Sequence, residues 1–347
     1  MSANRNGTGG SRETVMREVP VAQAIGMRLA HDLTQIVPGK FKGRKYKRGH
    51  LIAEADIPGL LDIGKEHIYT LEIGDDDLHE DDAALQLASA LLGDGLSLTE
   101  PHEGKVTLRS ERTGLAVIPP ALVDAINEIG DIALATVKHH APVAAGQPVA
   151  ATRAIPLVLP KAKVEAALEQ IQAYRAANNG ESPIQVRPLR KLRVGLLTTG
   201  GEVFSGRIED KFGPAVRAKL EALGSEVDEQ LFSPDDRQTI VNHIRSLHDK
   251  GYDMIVVTGG MSVDPDDRTP GAIKEAGADI VSYGTPMLPG SMLLMGYLNG
   301  IPIMGLPGCV MHDPYTSFDV LLPRILAGDT ITRADIVSMG YGGLYGC

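Results

Sequence analysis

Three short apolar runs that each stop at a glycine turn constrain this chain more than anything else in it. Val194-Gly195-Leu196-Leu197-Thr198-Thr199 runs into Gly200-Gly201-Glu202. Asp253-Met254-Ile255-Val256-Val257-Thr258 runs into Gly259-Gly260-Met261-Ser262, and Ile301-Pro302-Ile303-Met304 into Gly305-Leu306-Pro307-Gly308. Apolar runs of this length, alternating with helical patterns, predict buried parallel strands of an α/β sheet. Ligands of such sheets sit beyond the carboxyl ends of the strands, where glycine lets backbone N–H groups approach an anion. The three turns are therefore expected to wall one binding site.

The βα alternation around them is regular. Strand Val194–Thr198 leads to a helix over Pro214–Leu223, with proline in the first turn and Gly224 beyond the end. Strand Glu226–Phe232 precedes a helix carrying Ile240, Ile244 and Leu247, with Asp235 or Asp236 read as its cap. Strand Met254–Val257 precedes a helix over Thr269–Ala276; a strand at Asp279–Tyr283 and a hairpin across Met292–Met304 complete the sheet. Pro314–Ala327 reads as the closing helix and Thr330–Cys347 as a glycine-rich tail.

Ahead of this lies a different texture. Met1–Arg17 is polar and reads as a disordered tail, not a signal peptide. Val21, Ile25 and Leu29 predict a helix within Val19–Asp32. Six basic residues between Lys40 and Arg48 read as a solvated turn, or else as a basic rim that guides an anionic ligand or a partner protein. The acidic block Asp75–Asp82 is expected to start a helix over Ala83–Leu92 and can pair with the basic one. Gly104–Leu159 is β-rich, and Lys161–Asn179 is its clearest helix. The expected domains are thus 1–17 tail, 18–185 α+β and β-rich, 186–330 α/β, and 331–347 tail.

Composition narrows the function. A formal charge of −10, with no tryptophan among 347 residues, argues against a non-specific nucleic-acid surface. The apolar stretch Pro286–Pro307 is too interrupted by proline and glycine to span a bilayer. Cys309 and Cys347 form neither a disulfide framework nor a metal spacing, which fits a reducing cytoplasm.

The chemistry-bearing residues cluster at the turns. Glu202, Arg207, Glu209, Asp210 and Lys211 follow the first, Ser262, Asp264, Asp267, Arg268 and Thr269 the second, and Cys309, His312 and Asp313 the third. Backbone amides beside a helix start suit a phosphate. Carboxylates beside a phosphate call for Mg²⁺, so Asp210 and Asp267 suit a metal or a substrate amine, while Arg207, Lys211 and Arg268 suit phosphate neutralisation. Asp267 equally suits a plain cap for the Thr269 helix.

In order, these motifs resemble the molybdenum-cofactor-biosynthesis (molybdopterin-binding) domain family. Thr198–Val203 resembles its Ser/Thr-Gly-Asp-Glu-Leu turn, and Gly206–Asp210 its Gly-x-Ile-x-Asp. Thr258–Val263 with Asp267-Arg268-Thr269-Pro270 resembles its Thr-Gly-Gly-x-Ser-x…Asp-x-Thr-Pro run. Pro289-Gly290 and Gly305–Gly308 resemble its later Pro-Gly turns. The resemblance covers about residues 192–328. Departures are Gly201 in place of the first-turn aspartate, Phe212 near an expected asparagine, and Gly308-Cys309-Val310 in place of Gly-Asn-Pro. Leu288-Pro289-Gly290-Ser291-Met292 stands where molybdate-inserting enzymes carry Lys-Pro-Gly-Lys-Pro. Losing both lysines counts against molybdate insertion more than against binding molybdopterin. Ala30–Leu33, the Phe41–His50 turn and Gly104–Leu159 resemble the front half of bacterial molybdopterin-binding proteins.

The resemblance implies a three-layer α/β/α domain with a mostly parallel sheet, preceded by a smaller α+β, β-rich one. It implies molybdopterin bound by Thr199, Gly200, Gly201, Glu202, Gly259, Gly260, Ser262, Thr269, Pro289, Gly290, Pro307 and Gly308. Asp210 and Asp267 are its implied catalytic residues, holding Mg²⁺ or the pterin nitrogens. The implied activity is Mg²⁺-assisted adenylyl transfer from ATP to molybdopterin, or molybdate insertion into the adenylylated cofactor. The alternative is a non-catalytic carrier that hands the cofactor to a molybdoenzyme or works with a nucleotidyltransferase partner. A third reading is a nucleotide-processing protein of the competence-damage-inducible kind. A cytoplasmic homo-oligomer is expected.

Overall fold

Residues 12–37, 40–262 and 268–346 are described by the computed structural model. The chain divides into two units, Met1–Val186 and Arg187–Cys347, so the front unit is the longer and not the smaller one expected.

In the first unit Val15–Pro20 pairs antiparallel with His67–Glu72, and Leu33–Val37 with Phe41–Tyr46. A small core of Val21, Ala24, Leu29, Leu33, Ile52, Leu60 and Ile68 lies among them. Three expectations change here. Val15–Arg17 belong to a strand and not to a tail. The helix expected over Val19–Asp32 is a single 3-10 turn, Val21–Gln23, because Pro20 closes a strand and Gly26 turns the chain at φ +80°. The basic segment is not a simple turn: Phe41–Tyr46 is a strand, which places Lys42 and Arg44 on one face and Lys45 on the other.

The larger part of this unit packs helices Glu80–Leu91 and Lys161–Ala177 beside a four-stranded antiparallel sheet. Its core draws Leu87 and Leu91 from one helix, Val164 and Ile171 from the other, and Val106, Leu108 and Leu134 from the strands. The acidic block starts the first helix as expected, and His79 adds a cap by accepting from the Asp81 amide. One link between the basic and acidic blocks forms, Arg48 Nη2 to Asp82 Oδ2 at 2.8 Å. Asp32 is buried and accepts from the Arg48 amide at 2.7 Å, Arg44 Nη1 at 2.7 Å and His102 Nδ1 at 3.0 Å. Burial works against this carboxylate, yet those donors together hold its pKa below the ordinary value.

The second unit is a six-stranded sheet. Its strands are β1 (Arg193–Thr199), β2 (Glu226–Ser233), β3 (Met254–Thr258), β4 (Asp279–Tyr283), β5 (Leu294–Leu298) and β6 (Ile301–Leu306). They lie in the order β2-β1-β3-β6-β5-β4. The first three junctions are parallel and the last two antiparallel, the expected hairpin being β5–β6. Helices α1 (Gly201–Phe204), α2 (Phe212–Glu221), α3 (Arg237–Asp249), α4 (Thr269–Glu275), α5 (Ser317–Leu326) and α6 (Arg333–Ser338) connect and cover it.

Alternation along the central strands explains the layers. Val194, Leu196, Met254 and Val256 face one way, into a core with Val216 and Leu220 of α2, Phe318 and Leu321 of α5, and Ile336 of α6. Leu197, Ile255 and Val257 face the other way, towards Ile240, Ile244 and Leu247 of α3 and Ile273 of α4. A strand buried on both faces is apolar along nearly its whole length, which is why these runs are continuous up to the hydrogen-bonded threonines at their ends. Each such side chain contributes about 1.5–3 kcal/mol on burial. The fold is therefore the three-layer α/β/α arrangement.

Two features complete the periphery of this unit. The expected tail after Thr330 contains α6, capped reciprocally by Thr332 and Asp335 and anchored by buried Ile336. Strand β2, at the open rim, carries three acidic residues that are paired: Glu226 with Lys191 at 2.9 Å, Asp228 with Arg193 at 2.7 Å, and Glu229 with Lys250 at 2.6 Å.

Candidate functional site

Strands β1, β3 and β6 are neighbours and parallel, so their three glycine turns leave the sheet at one edge. A cavity of about 620 Å³ opens there, within the usual range for small-molecule sites. It is lined by Gly259, Gly260 and Ser262 after β3, by Pro307, Gly308 and Cys309 after β6, and by Leu288–Met292. Gly259 and Gly260 have φ of +86° and +56°, a backbone path open to glycine and strained for other residues. Gly290, at φ +120°, sits against Ser317, and a Cβ there would stand 2.6 Å from the Ser317 amide nitrogen.

Of the expected ligand contacts, Gly259, Gly260, Ser262, Pro289, Gly290, Pro307 and Gly308 line this cavity together. The first turn does not. Gly200 N donates to Ser233 O at 3.1 Å, and Gly201 N donates to Asp235 Oδ2 at 2.7 Å. A carboxylate of the protein thus takes the amide that an anionic ligand would use. Glu202 is exposed, and Thr199 and Thr269 are buried, their hydroxyls 3.1 Å apart. These threonines tie β1 to the start of α4, as Thr198 and Thr258 tie β1 to β3 at 3.2 Å.

Asp210 also has another occupation. Its Oδ1 accepts from Phe212 N at 2.9 Å, and its Oδ2 from Gly213 N at 3.1 Å and Gln230 Nε2 at 2.6 Å. This is how a carboxylate starts a helix. Both oxygens are thus engaged in holding the start of α2. Among the described residues no cluster of three His, Cys, Asp or Glu suits a metal. Asp264 and Asp267 lie outside the described residues.

Sequence reasoning missed most of the apolar lining: Phe212, Met261, Leu288, Met292, Leu306 and Met311. Among the described residues, none that lines the cavity carries a charged side chain. Arg207 and Lys211, expected to neutralise phosphate, are exposed and not part of the wall. Cys309 does line it, and burial together with the Asp313 carboxylate pushes its thiol pKa up, so it stays protonated at neutral pH. Lys219 holds the chain just beyond the Gly308–Met311 turn, bridging Asp319 at 2.7 Å and donating to Pro314 O at 3.0 Å.

A mostly apolar cavity rimmed by glycine turns is the geometry that the sequence order announces, and residues 195–327 match the family described as "Probable molybdopterin binding domain". They form a molybdopterin-binding-type domain. Residues 18–72 match a second family, described as "Domain of unknown function (DUF8806)". The molybdopterin molybdenumtransferase of Staphylococcus aureus strain COL is 28% identical over 131 residues, 36% of this chain and 31% of that protein. A CinA-like protein of Mycobacterium avium strain 104 is 38% identical over 77 residues, 22% of this chain and 18% of that protein. The chain thus spans about a third of the length of the first curated relatives it matches. Among solved structures, the molybdopterin biosynthesis enzyme MoaB of Thermus thermophilus is 26% identical with a TM-score of 0.34, covering 40% of this chain and 98% of that one. The matched span supplies most of the cavity wall, and the match ends before α6. No described helix is long and apolar enough to cross a membrane.

Proposed function

We propose that the cavity binds molybdopterin, and that the protein acts in the synthesis or delivery of the molybdenum cofactor. One observation carries this reading: the glycine turns after β3 and β6 and the Pro289-Gly290 turn, all within the matched span, line a single cavity at the ends of parallel strands. The flat pterin ring suits the walls of Met261, Met292 and Phe212, and the phosphate suits the backbone of Gly259, Gly260 and Gly308. Ser262 and Ser291 supply hydroxyls at the same wall.

The leading activity is adenylyl transfer to bound molybdopterin, in which its phosphate oxygen displaces pyrophosphate from ATP. Such chemistry depends mainly on positioning and charge neutralisation. Mg²⁺ bound to the nucleotide would supply the neutralisation, and this chain's part is to hold and orient the acceptor. One observation favours the second reading, a carrier without turnover: the described lining holds no charged side chain, and Asp210 is committed to α2.

Incubation with molybdopterin, ATP and Mg²⁺ tests both. AMP transfer supports the enzyme, and tight binding without turnover supports the carrier. Absence of any pterin binding refutes the proposal.

A further inference from the structure

Part of the cavity wall comes from beyond the matched domain. Gly346 lines it, whereas the family match ends at residue 327. Residues 343–345 run alongside the Leu288–Met292 turn as a short parallel bridge between Leu288 and Leu344. Leu288 N donates to Gly343 O at 2.8 Å, and Tyr345 N donates to Leu288 O at 2.8 Å. The Tyr345 ring packs on Tyr315 with centroids 4.7 Å apart. Gly343 is wedged between carbonyls: a Cβ there would overlap Met339 O and stand 2.8 Å from Pro286 O.

The same turn is held from its inner side. Gly290 O accepts from Thr285 Oγ1 at 2.9 Å and from Ser317 Oγ at 2.7 Å. The turn is thus clamped between α5 and the residues after α6. Beyond these contacts and the buried Gly343 the segment is open, since Tyr341 is fully exposed and Leu344 is 72% exposed. A glycine-rich segment loses much chain entropy when ordered, so its few contacts with Leu288 and Tyr315 decide where it lies. Burial and the adjacent Tyr345 push the Tyr315 pKa up to about 12, which keeps that hydroxyl neutral.

We propose that residues 343–346 are a strap that fixes the Leu288–Met292 turn as a cavity wall and thereby sets how long a phosphorylated pterin is retained. The inference rests on the proposed molybdopterin reading. It assigns a retention role to a segment outside the matched domain, at the turn formed by Leu288–Met292.

The test measures binding and release of molybdopterin by the full chain, followed by pterin fluorescence. Variants are Gly343→Ala, which has no room for its methyl, and Tyr345→Ala, which removes the ring contact. Tyr341→Ala is the control. Release is expected to quicken about tenfold in both strap variants, equivalent to the loss of one modest contact. The control should behave as wild type, and thermal melts should show the folded core retained. Hydrogen exchange should show the Leu288 and Tyr345 amides losing protection in the same two variants. Wild-type binding with unchanged release in the variants overturns the strap and leaves the molybdopterin reading standing. No binding by the wild type overturns that reading, and the strap's role with it. Should Gly343→Ala fail to fold, Tyr345→Ala decides alone.

Discussion

Gly259 lies so close to Thr199 that a Cβ placed on it would overlap the Thr199 carbonyl oxygen and stand 2.8 Å from the Thr199 hydroxyl. This contact joins the turn after β3 to the end of β1, and only a residue without a side chain permits it. Gly308 lines the same cavity with nothing within 4 Å of its hypothetical Cβ.

The two glycines should therefore respond differently to alanine. Gly259→Ala is expected to lose about 1–3 kcal/mol from the positive φ alone, and more from the clash. Gly308→Ala should keep wild-type stability and weaken pterin binding. Urea unfolding beside pterin titration separates the two, and equal stability losses would refute the distinction.

Asp210 should behave as a helix anchor. Asp210→Asn leaves one carboxamide oxygen for three donors and should cost about 1–3 kcal/mol. The loss should be the same with and without millimolar Mg²⁺. A wild-type Mg²⁺ stabilisation that the variant lacks would return Asp210 to a metal role.

Glu80 gives a pH signature in the first unit. Burial, and then the neighbouring Asp81 carboxylate, push its pKa from 4.5 up to about 7. The folded form therefore binds the proton more tightly than the unfolded one. Its contribution is fully present below about 4.5 and is lost as pH rises through about 7. Glu80→Gln should leave stability unchanged below that window and raise it at pH 8 by about 1 kcal/mol, a partial value because the carboxyl is only half buried. Chemical denaturation at pH 4, 6 and 8 measures it, and a variant whose stability falls at pH 8 contradicts the assignment.

Lys219 and Asp319 are 15% and 16% exposed and bridge α2 to α5. Lys219→Met leaves the carboxylate without its cation and should cost about 3 kcal/mol. Because Lys219 also holds Pro314 O, the bend at Cys309 should loosen and pterin affinity should fall with stability. A variant that melts lower but binds normally would show that this ion pair serves only the fold.

The second unit was legible because its signals are local and agree with one another. Continuous apolar runs mark strands buried on both faces, and Pro-Gly punctuation marks helix ends. The first unit misled where a periodicity was accidental. Val21, Ile25 and Leu29 have helical spacing, yet Ile25 is 50% exposed while the other two are buried. The first glycine turn misled for a different reason. Whether the Gly201 amide is open to a ligand depends on Asp235, 34 residues away, and no local pattern reports that meeting. The apolar lining was unreadable because Met261, Met292 and Met311 look like any core methionine until the turns converge. α6 was missed although its Thr332-to-Asp335 signature stands in the sequence, because the glycines beyond it dominated the reading.

The acidic residues of β2 each hold a basic neighbour. A chain adding to this border would have to lie beside a row of charged side chains. That side of the molecule is protected from runaway β-association, the route by which an unpaired border seeds insoluble fibres. Crowded at high concentration, the folded domain carries a charged guard there.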